Sequence, residues 1–528
     1  VCIGGNTPGE SYLNALSVVR VARMEEADAL HPGIGFLSEN ADFARLCLEH
    51  KLNFIGPPVE SMEAMGNKSN AIQTARRHGV PVVPGSHGVL ADSAHAARVA
   101  EETGYPVLLK AVHGGGGKGI RVVRDADAIH QAFMQISTEA NNAFGNGDIY
   151  LEKFITRLRH IEVQVLRDRH GNMVIPGIRD CSVQRNNQKL VEESASTMLP
   201  AELERSVRDA AARLSDAIGY VGAGTVEFIF DLDGPAVYFM EMNTRLQVEH
   251  PVTEVVSGID IVDAQFRIAE GKRLKNVRVK NEGHALEVRI NAEKPVMDAE
   301  GRMSFVSTPG TITSCRLPEH RGIRIITIAA EGRTISPYYD SLIVQAIAHG
   351  RNREQAVNRM LKWLAGVDIQ GIPTNIPLLR RILADADFRK GDFSTNFLEQ
   401  FTRRLDTVEL IRETESAAGV AAGGDVSLRI PDSLNLKVLS PSTGVFYLTP
   451  SPNEPEFVQV GDVVDVNHPL CLLEAMKQFT QVTLAGFNTE TSTLYPPDTR
   501  FRVERINMTS GQPVNAGDLL FIIRPMTE

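Results

Sequence analysis

The 528-residue sequence predicts mixed α/β and α+β domains followed by a flattened all-β barrel. Three observations lead to this fold class. Helix-like and strand-like segments alternate over residues 1–64, which is typical of a parallel sheet. Strands that pair as hairpins dominate the central stretch. Near the C-terminus, two matching segments each predict too few strands to bury their own apolar face. Because one core seldom serves more than ~250 residues, we expect three or four domains.

Composition excludes several functions. The net charge is −10 and no long block of lysines and arginines occurs, so we expect neither a nucleic-acid partner nor a membrane partner. The apolar runs are shorter than the ~20 residues that a membrane span requires. The five cysteines form no Cys-x-x-Cys pair, which predicts a reducing compartment: the cytoplasm, or the mitochondrial matrix in a eukaryote. The first residues look like the end of a strand, so we expect the chain to begin inside a domain.

The first half of the chain combines predicted strands with a glycine-rich loop. Residues 29–31 and 53–56 predict parallel strands, and residues 81–85 and 106–110 predict two more. Gly114 to Gly117 are consecutive glycines, whose backbone N–H groups can surround a phosphate without Cβ obstruction. The ending of a Walker A loop is absent. For a glycine run alone, a plain flexible loop is the alternative.

Carboxylates converge on a predicted hairpin, Thr225–Phe230 with Val237–Met242. Glu241 and Asn243 are two residues apart and share a face, which Glu227 can reach from the other strand. Two carboxylates and an amide are ligands that Mg²⁺ prefers, so the hairpin predicts a metal site. A pair of solvated glutamates is the alternative.

Three further polar residues follow this hairpin. Arg245, Gln247 and Glu249 have period-two spacing, which predicts that they lie on one side of an extended segment. A cation, an amide and a carboxylate in a row can hold a small oxyanion and remove a proton from it. Cys181 also lies among candidate residues, but we interpret it as a buried structural thiol.

The C-terminal segment places a lysine at a hairpin tip. An apolar run enters Glu474-Ala-Met-Lys477 and an alternating segment leaves it, which predicts two strands with Lys477 between them. Val460–Glu474 aligns without a gap with Ser510–Arg524, a repeat that indicates internal two-fold symmetry. The preceding residues 404–435 are poor in bulky apolar side chains and predict a flexible linker. An ordinary solvated lysine is the alternative for Lys477 taken alone.

Taken together, these residues resemble the biotin carboxylase family, and the Lys477 segment resembles a biotin carboxyl carrier domain. The matching stretches are His31–Asn40, Gly114–Gly119, Arg179–Lys189, Glu241–Thr253, Glu287–Glu293 and Pro337–Ser341. Lipoyl domains share the carrier fold but usually have Asp before the lysine, so Met476 favours biotin. The resemblance implies an ATP-grasp carboxylase joined to a biotinyl domain. Its implied segments are a Rossmann-like remnant (1–64), an ATP-grasp domain (65–283) with a lid at about 85–155, a C-terminal carboxylase domain (284–403), a linker (404–435) and a biotinyl domain (436–526).

The resemblance also implies a reaction and a site. In this family ATP phosphorylates bicarbonate to carboxyphosphate, which delivers CO₂ to N1 of biotin. The implied ATP contacts are Lys68, Lys110, Gly115, Gly116, Gly117, Glu152, Lys153, Ile155, His160 and Gln184. Mg²⁺ or Mn²⁺ would be held by Glu227, Glu241 and Asn243. The implied catalytic set is Arg245, Gln247 and the Val248 backbone at bicarbonate, Glu249 as general base, Arg289 at the biotin enolate and Lys189 at the phosphate. Lys477 would carry covalent biotin.

The implied partners are a separate carboxyltransferase (β) subunit and a biotin protein ligase, with a homodimeric carboxylase core inside a larger hetero-oligomer. An acyl-CoA such as acetyl-CoA is the expected acceptor. A pyruvate or urea carboxylase, and a non-catalytic carrier or scaffold subunit, are the alternatives. The chain departs from the family at Ile34, His113 and Asn187, and residues 486–503 form an insertion after Lys477.

Overall fold

The structure is a computed structural model, and it describes most but not all of the chain. The described residues are 1–86, 88–112, 120–144, 146–185, 188–195, 199–275, 277–297, 303–419, 436–451, 454–476, 478–484 and 499–526. Within them, no helix is long and apolar enough to cross a membrane. Lys477, His113, Asn187 and Gly115 to Gly117 lie outside the described residues, as do residues 486–498 of the predicted insertion at 486–503, whose last residues belong to a strand, Arg500–Ile506.

The first unit alternates helices and short strands, as its sequence predicts. Its elements are α1 (Ala15–Met24), β1 (Ala29–Leu30), α2 (Ala41–Glu49), β2 (Asn53–Phe54) and α3 (Val59–Gly66). The two strands pair in parallel. Asn14 and Asn40 are the N-caps of α1 and α2, because each side chain accepts a hydrogen bond from a backbone N–H of the first turn.

The second unit contains the predicted lid and most of the central sheet. Its elements are α4 (Lys68–Arg77), α5 (Ser93–Thr103), β3 (Val107–Ala111), β4 (Ile120–Val123), α6 (Ile129–Phe144), β5 (Ile149–Lys153), β6 (Leu158–Arg167), β7 (Met173–Arg185), β8 (Gln188–Glu193), α7 (Ala201–Ala217), β9 (Gly222–Asp231), β10 (Ala236–Asn243), α8 (His250–Ser257) and α9 (Ile261–Ala269). Strands β4, β3 and β5 form a separate small sheet whose core includes residues of α5 and α6.

One strand prediction in this unit is wrong. Residues 81–85 form only isolated bridges, from Val82 to Phe239 and from Gly85 to Glu152. Pro81 and Pro84 have no N–H to donate, so this segment cannot complete a ladder of hydrogen bonds.

The third unit completes the central sheet and covers it with helices. Its elements are β11 (His284–Asn291), β12 (Glu293–Met297), β13 (Met303–Ser307), β14 (Gly310–Thr311), β15 (Ser314–Arg316), β16 (Ile323–Thr327), β17 (Thr334–Ile335), β18 (Leu342–Gly350), α10 (Arg353–Leu364), β19 (Asp368–Gln370), α11 (Ile376–Ala384), α12 (Ala386–Lys390), α13 (Phe397–Thr402) and α14 (Thr407–Ala417). A large apolar core surrounds the buried Trp363.

An eight-stranded antiparallel sheet joins the second and third units. Its strand order is β10-β9-β6-β7-β8-β11-β18-β16. The junction is the β8–β11 pair, in which Glu287 lies opposite Glu192. Residues from two distant parts of the sequence therefore meet on one continuous surface.

The predicted linker at 404–435 needs a correction. Its first part is the helix α14, which begins after the N-cap Asp406. Leu410 is fully buried in the core of the third unit, and Arg381 of α11 binds Glu413 at 2.8 Å. Burial of this one apolar face stabilises the helix although the segment as a whole is poor in large apolar residues. Residues 420–435 lie outside the described part of the chain.

The fourth unit consists of two four-stranded sheets that share one apolar core. Its strands are β20 (Leu436–Leu439), β21 (Gly444–Tyr447), β22 (Val463–Asp465), β23 (Cys471–Ala475), β24 (Gln478–Val482), β25 (Arg500–Ile506), β26 (Gln512–Val514) and β27 (Leu519–Pro525). The sheet orders are β20-β27-β25-β22 and β24-β23-β21-β26. The repeated segments supply β22 with β23 and β26 with β27, and each pair contributes one strand to each sheet. This arrangement fits the predicted two-fold repeat.

Candidate active site

The two strands of the predicted carboxylate hairpin define one wall of a large cavity. Glu227 on β9 lies opposite Glu241 on β10, and Asn243 lies two residues further along, so the expected common face is confirmed. The adjoining cavity has a volume of about 980 Å³, which is large enough for a nucleotide and a small second substrate. Of the predicted site residues, those that line it are Lys68, His160, Gln184, Lys189, Glu227, Glu241, Asn243, Arg245, Gln247, Val248, Glu249 and Arg289.

Glu227 is surrounded by donors. Its Oε1 accepts hydrogen bonds from the amides of Asn243 and Gln247, the second at 3.2 Å. Its Oε2 lies 2.9 Å from Nε2 of His160. Burial lowers the pKa of His160, but the neighbouring Glu227 and Glu162 carboxylates together raise it by more, so the net pKa is raised. These contacts hold the Glu227 carboxyl group in place at the cavity wall.

Side-chain hydrogen bonds, and not the predicted extended spacing, bring residues 244–249 to the cavity. The strand ends at Asn243 and α8 begins at His250, so residues 244–249 are not an extended row. Instead, Arg245 donates to the side-chain oxygens of Gln247 at 3.0 Å and Asn243 at 3.1 Å. These contacts, rather than a strand period, orient the guanidinium.

Glu39 is a site residue to which the sequence interpretation assigned no role. Its Oε2 lies 2.6 Å from Nε of Arg245, and its Oε1 accepts a hydrogen bond from the backbone N–H of Thr244 at 3.0 Å. Both carboxylate oxygens are thus used to hold the segment that carries Arg245. The signal was available, because Glu39 lies inside the matching stretch His31–Asn40.

Glu249 lies between two cations. Its Oε1 is 2.6 Å from Nζ of Lys189, and its Oε2 is 2.8 Å from Nη2 of Arg289. Burial raises the pKa of Glu249, but the charges of Lys189 and Arg289 lower it by more, so the net pKa lies well below the usual range. A buried carboxylate that stays ionised beside bound substrate can accept a proton.

A second buried charge network lies behind Lys189, and the sequence interpretation missed it. Nζ of Lys189 contacts Glu162, whose other oxygen lies 3.0 Å from Arg179. Arg179 is fully buried and also donates to Gln164 at 2.8 Å and Thr253 at 2.9 Å. Because every buried charge here is paired, the network holds the Lys189 ammonium in one place.

Oxygen ligands suitable for Mg²⁺ are present where the sequence predicted them. Glu227 and Glu241 present carboxylates from neighbouring strands, and Nζ of Lys68 lies 3.4 Å from Glu241. Hard oxygen donors of this kind fit Mg²⁺. Within the described residues, His160, Glu162 and Glu227 form a further cluster with ligand atoms within 4.8 Å of one another.

Four of the predicted ATP residues that the structure describes, Lys110, Glu152, Lys153 and Ile155, do not line the cavity. Nζ of Lys110 lies 2.5 Å from Glu152, and Nζ of Lys153 donates to the carbonyl oxygens of Gly104 and Tyr105 at 2.6 and 3.1 Å. Lys110, Glu152 and Lys153 belong to the small β4-β3-β5 sheet, and Ile155 is a buried residue just after it. The structure therefore divides the described residues among the predicted nucleotide contacts between the cavity wall and this small sheet.

Cys181 is fully buried beside the site, as its interpretation as a structural thiol requires. Burial, with Glu162 nearby, raises its pKa well above the usual value. A thiol in this state is protonated and a poor nucleophile.

Comparison with known proteins identifies the class and then the family. The family description "Carbamoyl-phosphate synthase L chain, ATP binding domain" matches residues 67–277, which contain five of the eight strands of the central sheet, and the fold is of the ATP-grasp class. "Biotin carboxylase, N-terminal domain" matches residues 1–62, and "Biotin carboxylase C-terminal domain" matches residues 287–400.

Individual relatives agree with these matches. Biotin carboxylase 1 of Bacillus subtilis is 46% identical over 402 residues, which are 76% of this chain and 88% of that protein. The dimeric biotin carboxylase domain of Hydrogenobacter thermophilus 2-oxoglutarate carboxylase, with MgADP, ADP and bicarbonate, has a TM-score of 0.67 at 46% identity, covering 75% of this chain and 86% of that one. The biotin carboxylase subunit of a pyruvate carboxylase has a TM-score of 0.66 at 45% identity, covering 75% and 87%. The chain belongs to the biotin carboxylase family.

Proposed function

We propose that this chain uses ATP and bicarbonate to carboxylate biotin carried on its own Lys477, and passes the carboxyl group to a separate carboxyltransferase. The observation that carries the proposal is the position of Glu249 between Lys189 and Arg289 on the wall of the large cavity. Relatives in the same family are described with MgADP and bicarbonate.

The residues of the cavity suit each part of this reaction. Arg245, held by Glu39 and Gln247, binds the bicarbonate oxyanion, and Glu249 takes its proton as the oxygen attacks the γ-phosphate of ATP. Lys189 stabilises charge that develops on the phosphoryl oxygens. Glu227 and Glu241, with Asn243, would hold Mg²⁺, which neutralises nucleotide phosphate charge when bound. Arg289 stabilises the enolate of biotin as its N1 loses a proton.

In this scheme the small β4-β3-β5 sheet is part of a lid that closes over the nucleotide. Carboxyphosphate reacts readily with water, so the site must exclude water while the intermediate exists. This small sheet carries Lys110, Glu152 and Lys153, whose side chains can contact the nucleotide when the lid closes.

The proposal predicts a bicarbonate-dependent release of ADP from ATP and Mg²⁺ in the presence of free biotin. Glu249→Gln is expected to lower this turnover by ~10²- to 10⁴-fold, because it removes the proton acceptor. Glu270→Gln is the matched control, since Glu270 is exposed and pairs with Lys272 at the surface. Full turnover in Glu249→Gln would exclude Glu249 as the base. No turnover in the folded wild type would instead favour a non-catalytic carrier subunit.

Covalent biotin and the acceptor need separate tests. Mass spectrometry of the chain after treatment with a biotin protein ligase is expected to place one biotin on Lys477.

The expected acceptor is an acyl-CoA such as acetyl-CoA, bound by a carboxyltransferase (β) subunit. Because the relatives include carboxylases of pyruvate and 2-oxoglutarate, those acids are the competing acceptors, and urea is a further one. Transfer of labelled carboxyl groups from the chain to each acceptor, with the copurifying partner subunit, decides between them. We also propose a homodimeric carboxylase core, as in the dimeric relative.

A further inference from the structure

The β23–β24 hairpin of the fourth unit is seated on the third unit. The backbone N–H of Met476 donates to the carbonyl oxygen of Pro337 at 2.8 Å. The hydroxyl of Ser307 donates to the carbonyl oxygen of Ala475 at 3.3 Å. The Met476 side chain is 1% exposed and belongs to the apolar core of the third unit rather than to that of its own barrel. The hairpin therefore contributes an apolar anchor and two backbone contacts.

Gln478 matches this surface with both ends of its amide. Its Nε2 lies 3.3 Å from oxygens of both Gln188 and Glu293, and its Oε1 lies 3.4 Å from the Ser307 hydroxyl, whose one proton is shared between this oxygen and the Ala475 carbonyl oxygen. Two acceptors therefore face the amide nitrogen and one donor faces the amide oxygen. Such a set selects a carboxamide over a carboxylate, because a carboxylate at this position would meet the charge of Glu293.

The receiving surface is built independently of the hairpin. The Glu293 side chain is fully buried and is held by Arg185 at 2.6 Å and by the Ser341 hydroxyl at 2.7 Å. Arg185 in turn stacks over the ring of Phe305 at 4.0 Å. Since these partners fix the Glu293 carboxylate, Gln478 meets an ordered acceptor rather than a mobile surface charge.

This contact lies at the rim of the carboxylase cavity. Gln188, whose side-chain oxygen accepts the hydrogen bond from Gln478, also lines the cavity. The next residue in the chain is Lys189, which contacts Glu249. In the sequence, Lys477 stands between the anchor Met476 and Gln478. The hairpin also has the reach to dock in the same chain, because residues 420–435 can span up to roughly 55 Å when extended.

We propose that Met476 and Gln478 form a docking site by which each chain holds its own hairpin at the rim of its own carboxylase cavity. Gln478 is the positioning residue of this site, and Glu293 with Ser307 forms its receptor. This inference rests on the proposed function, since it takes Lys477 as the carrier of biotin.

The test compares tethered biotin with free biotin. In Gln478→Glu, transfer of ¹⁴C from bicarbonate to the chain's own biotin is expected to fall at least 10-fold per biotin attached, whereas carboxylation of free biotin stays unchanged. Gln478→Met should give a smaller loss, because it removes the hydrogen bonds without adding a charge. Gln481→Glu, the same change at an exposed position of the same strand, is the control and should have no effect. Equal self-carboxylation in Gln478→Glu and wild type would overturn the docking site. Loss of free-biotin turnover in the wild type would instead contradict the proposed function.

A mixing experiment tests whether the docking occurs within one chain. Glu249→Gln supplies a biotinylated chain without a base, and Lys477→Arg supplies a chain without biotin, whose free-biotin turnover is measured first. Docking within one chain predicts that the mixture transfers no more label to the Glu249→Gln chain than that variant accepts alone. Labelling of that chain to wild-type levels would show transfer between chains and overturn the inference.

Discussion

Glu192 and Glu287 lie opposite each other across the β8–β11 pair, directly behind Arg289, and both side chains are fully buried. Glu192 Oε1 is 2.6 Å from Nε of Arg289, and Glu287 Oε1 accepts from Gln345 at 2.8 Å. Among the described residues, the second oxygen of each has no hydrogen-bond partner. Two adjacent buried carboxyl groups with one nearby cation favour a pair that retains a proton.

The pKa shifts of the pair have a definite sign. Burial raises the pKa of Glu192 to about 7, with Arg289 opposing the shift. Burial and the neighbouring Glu192 raise the pKa of Glu287 well above its usual value. A carboxyl group with a raised pKa binds more protons in the folded state than in the unfolded state. The contribution of Glu192 to stability is therefore lost as the pH rises from its usual value of 4.5 through about 7, and that of Glu287 is lost over a range that extends further up.

Glu287→Gln is expected to flatten this pH dependence, because glutamine is neutral at every pH. The free energy of unfolding of the variant should equal that of the wild type near pH 5. At pH 8 it should exceed the wild-type value by an amount on the order of a few kcal/mol. Thermal unfolding across this range measures both curves. Glu282→Gln, at a nearby exposed position, is the control. Parallel curves for Glu287→Gln and wild type would exclude a retained proton.

Glu39→Gln is expected to weaken bicarbonate binding rather than the chemical step. The change removes the charge that holds Arg245 at 2.6 Å but keeps an acceptor for the Thr244 N–H. We expect the KM for bicarbonate to rise about 10-fold while kcat changes by less than about threefold, since a binding interaction is lost equally in ground and transition states. Steady-state kinetics at varied bicarbonate, with Asp42→Asn as the control, measure the two parameters. A fall in kcat alone would assign Glu39 to the chemical step.

Leu410→Ala tests the correction to the linker. Leu410 is fully buried in the core of the third unit, whereas Val408 on the same helix is 54% exposed. We expect Leu410→Ala to lower the free energy of unfolding by about 2–5 kcal/mol, and Val408→Ala by less than about 1 kcal/mol. Urea denaturation of the full chain measures both. Equally small effects of the two substitutions would mean that packing of α14 on the third unit contributes little to stability, as expected of a linker.

Local sequence patterns predicted the parts of the site that depend on short spacing. Period-two alternation correctly placed Glu241 and Asn243 on the face that Glu227 reaches from the next strand. The predicted pairing of the two strands around this segment was also confirmed, because β23 and β24 pair with Ala475 opposite Gln478, whereas Lys477 itself lies outside the described residues. The same period failed at Arg245 and Glu249, because the strand ends at Asn243 and the chain turns toward α8.

By itself, the sequence determined which residues are available and which of them are neighbours within one strand or hairpin, because side-chain period and turn chemistry are local properties. Only the tertiary structure decided that Glu39 holds Arg245, that Lys189 and Arg289 enclose Glu249, and that Gln478 meets Glu293. These partners lie tens to hundreds of residues apart in the chain. Their contacts arise when the β8–β11 pairing and the seating of the hairpin bury charged groups that then require partners, a requirement that no local pattern encodes.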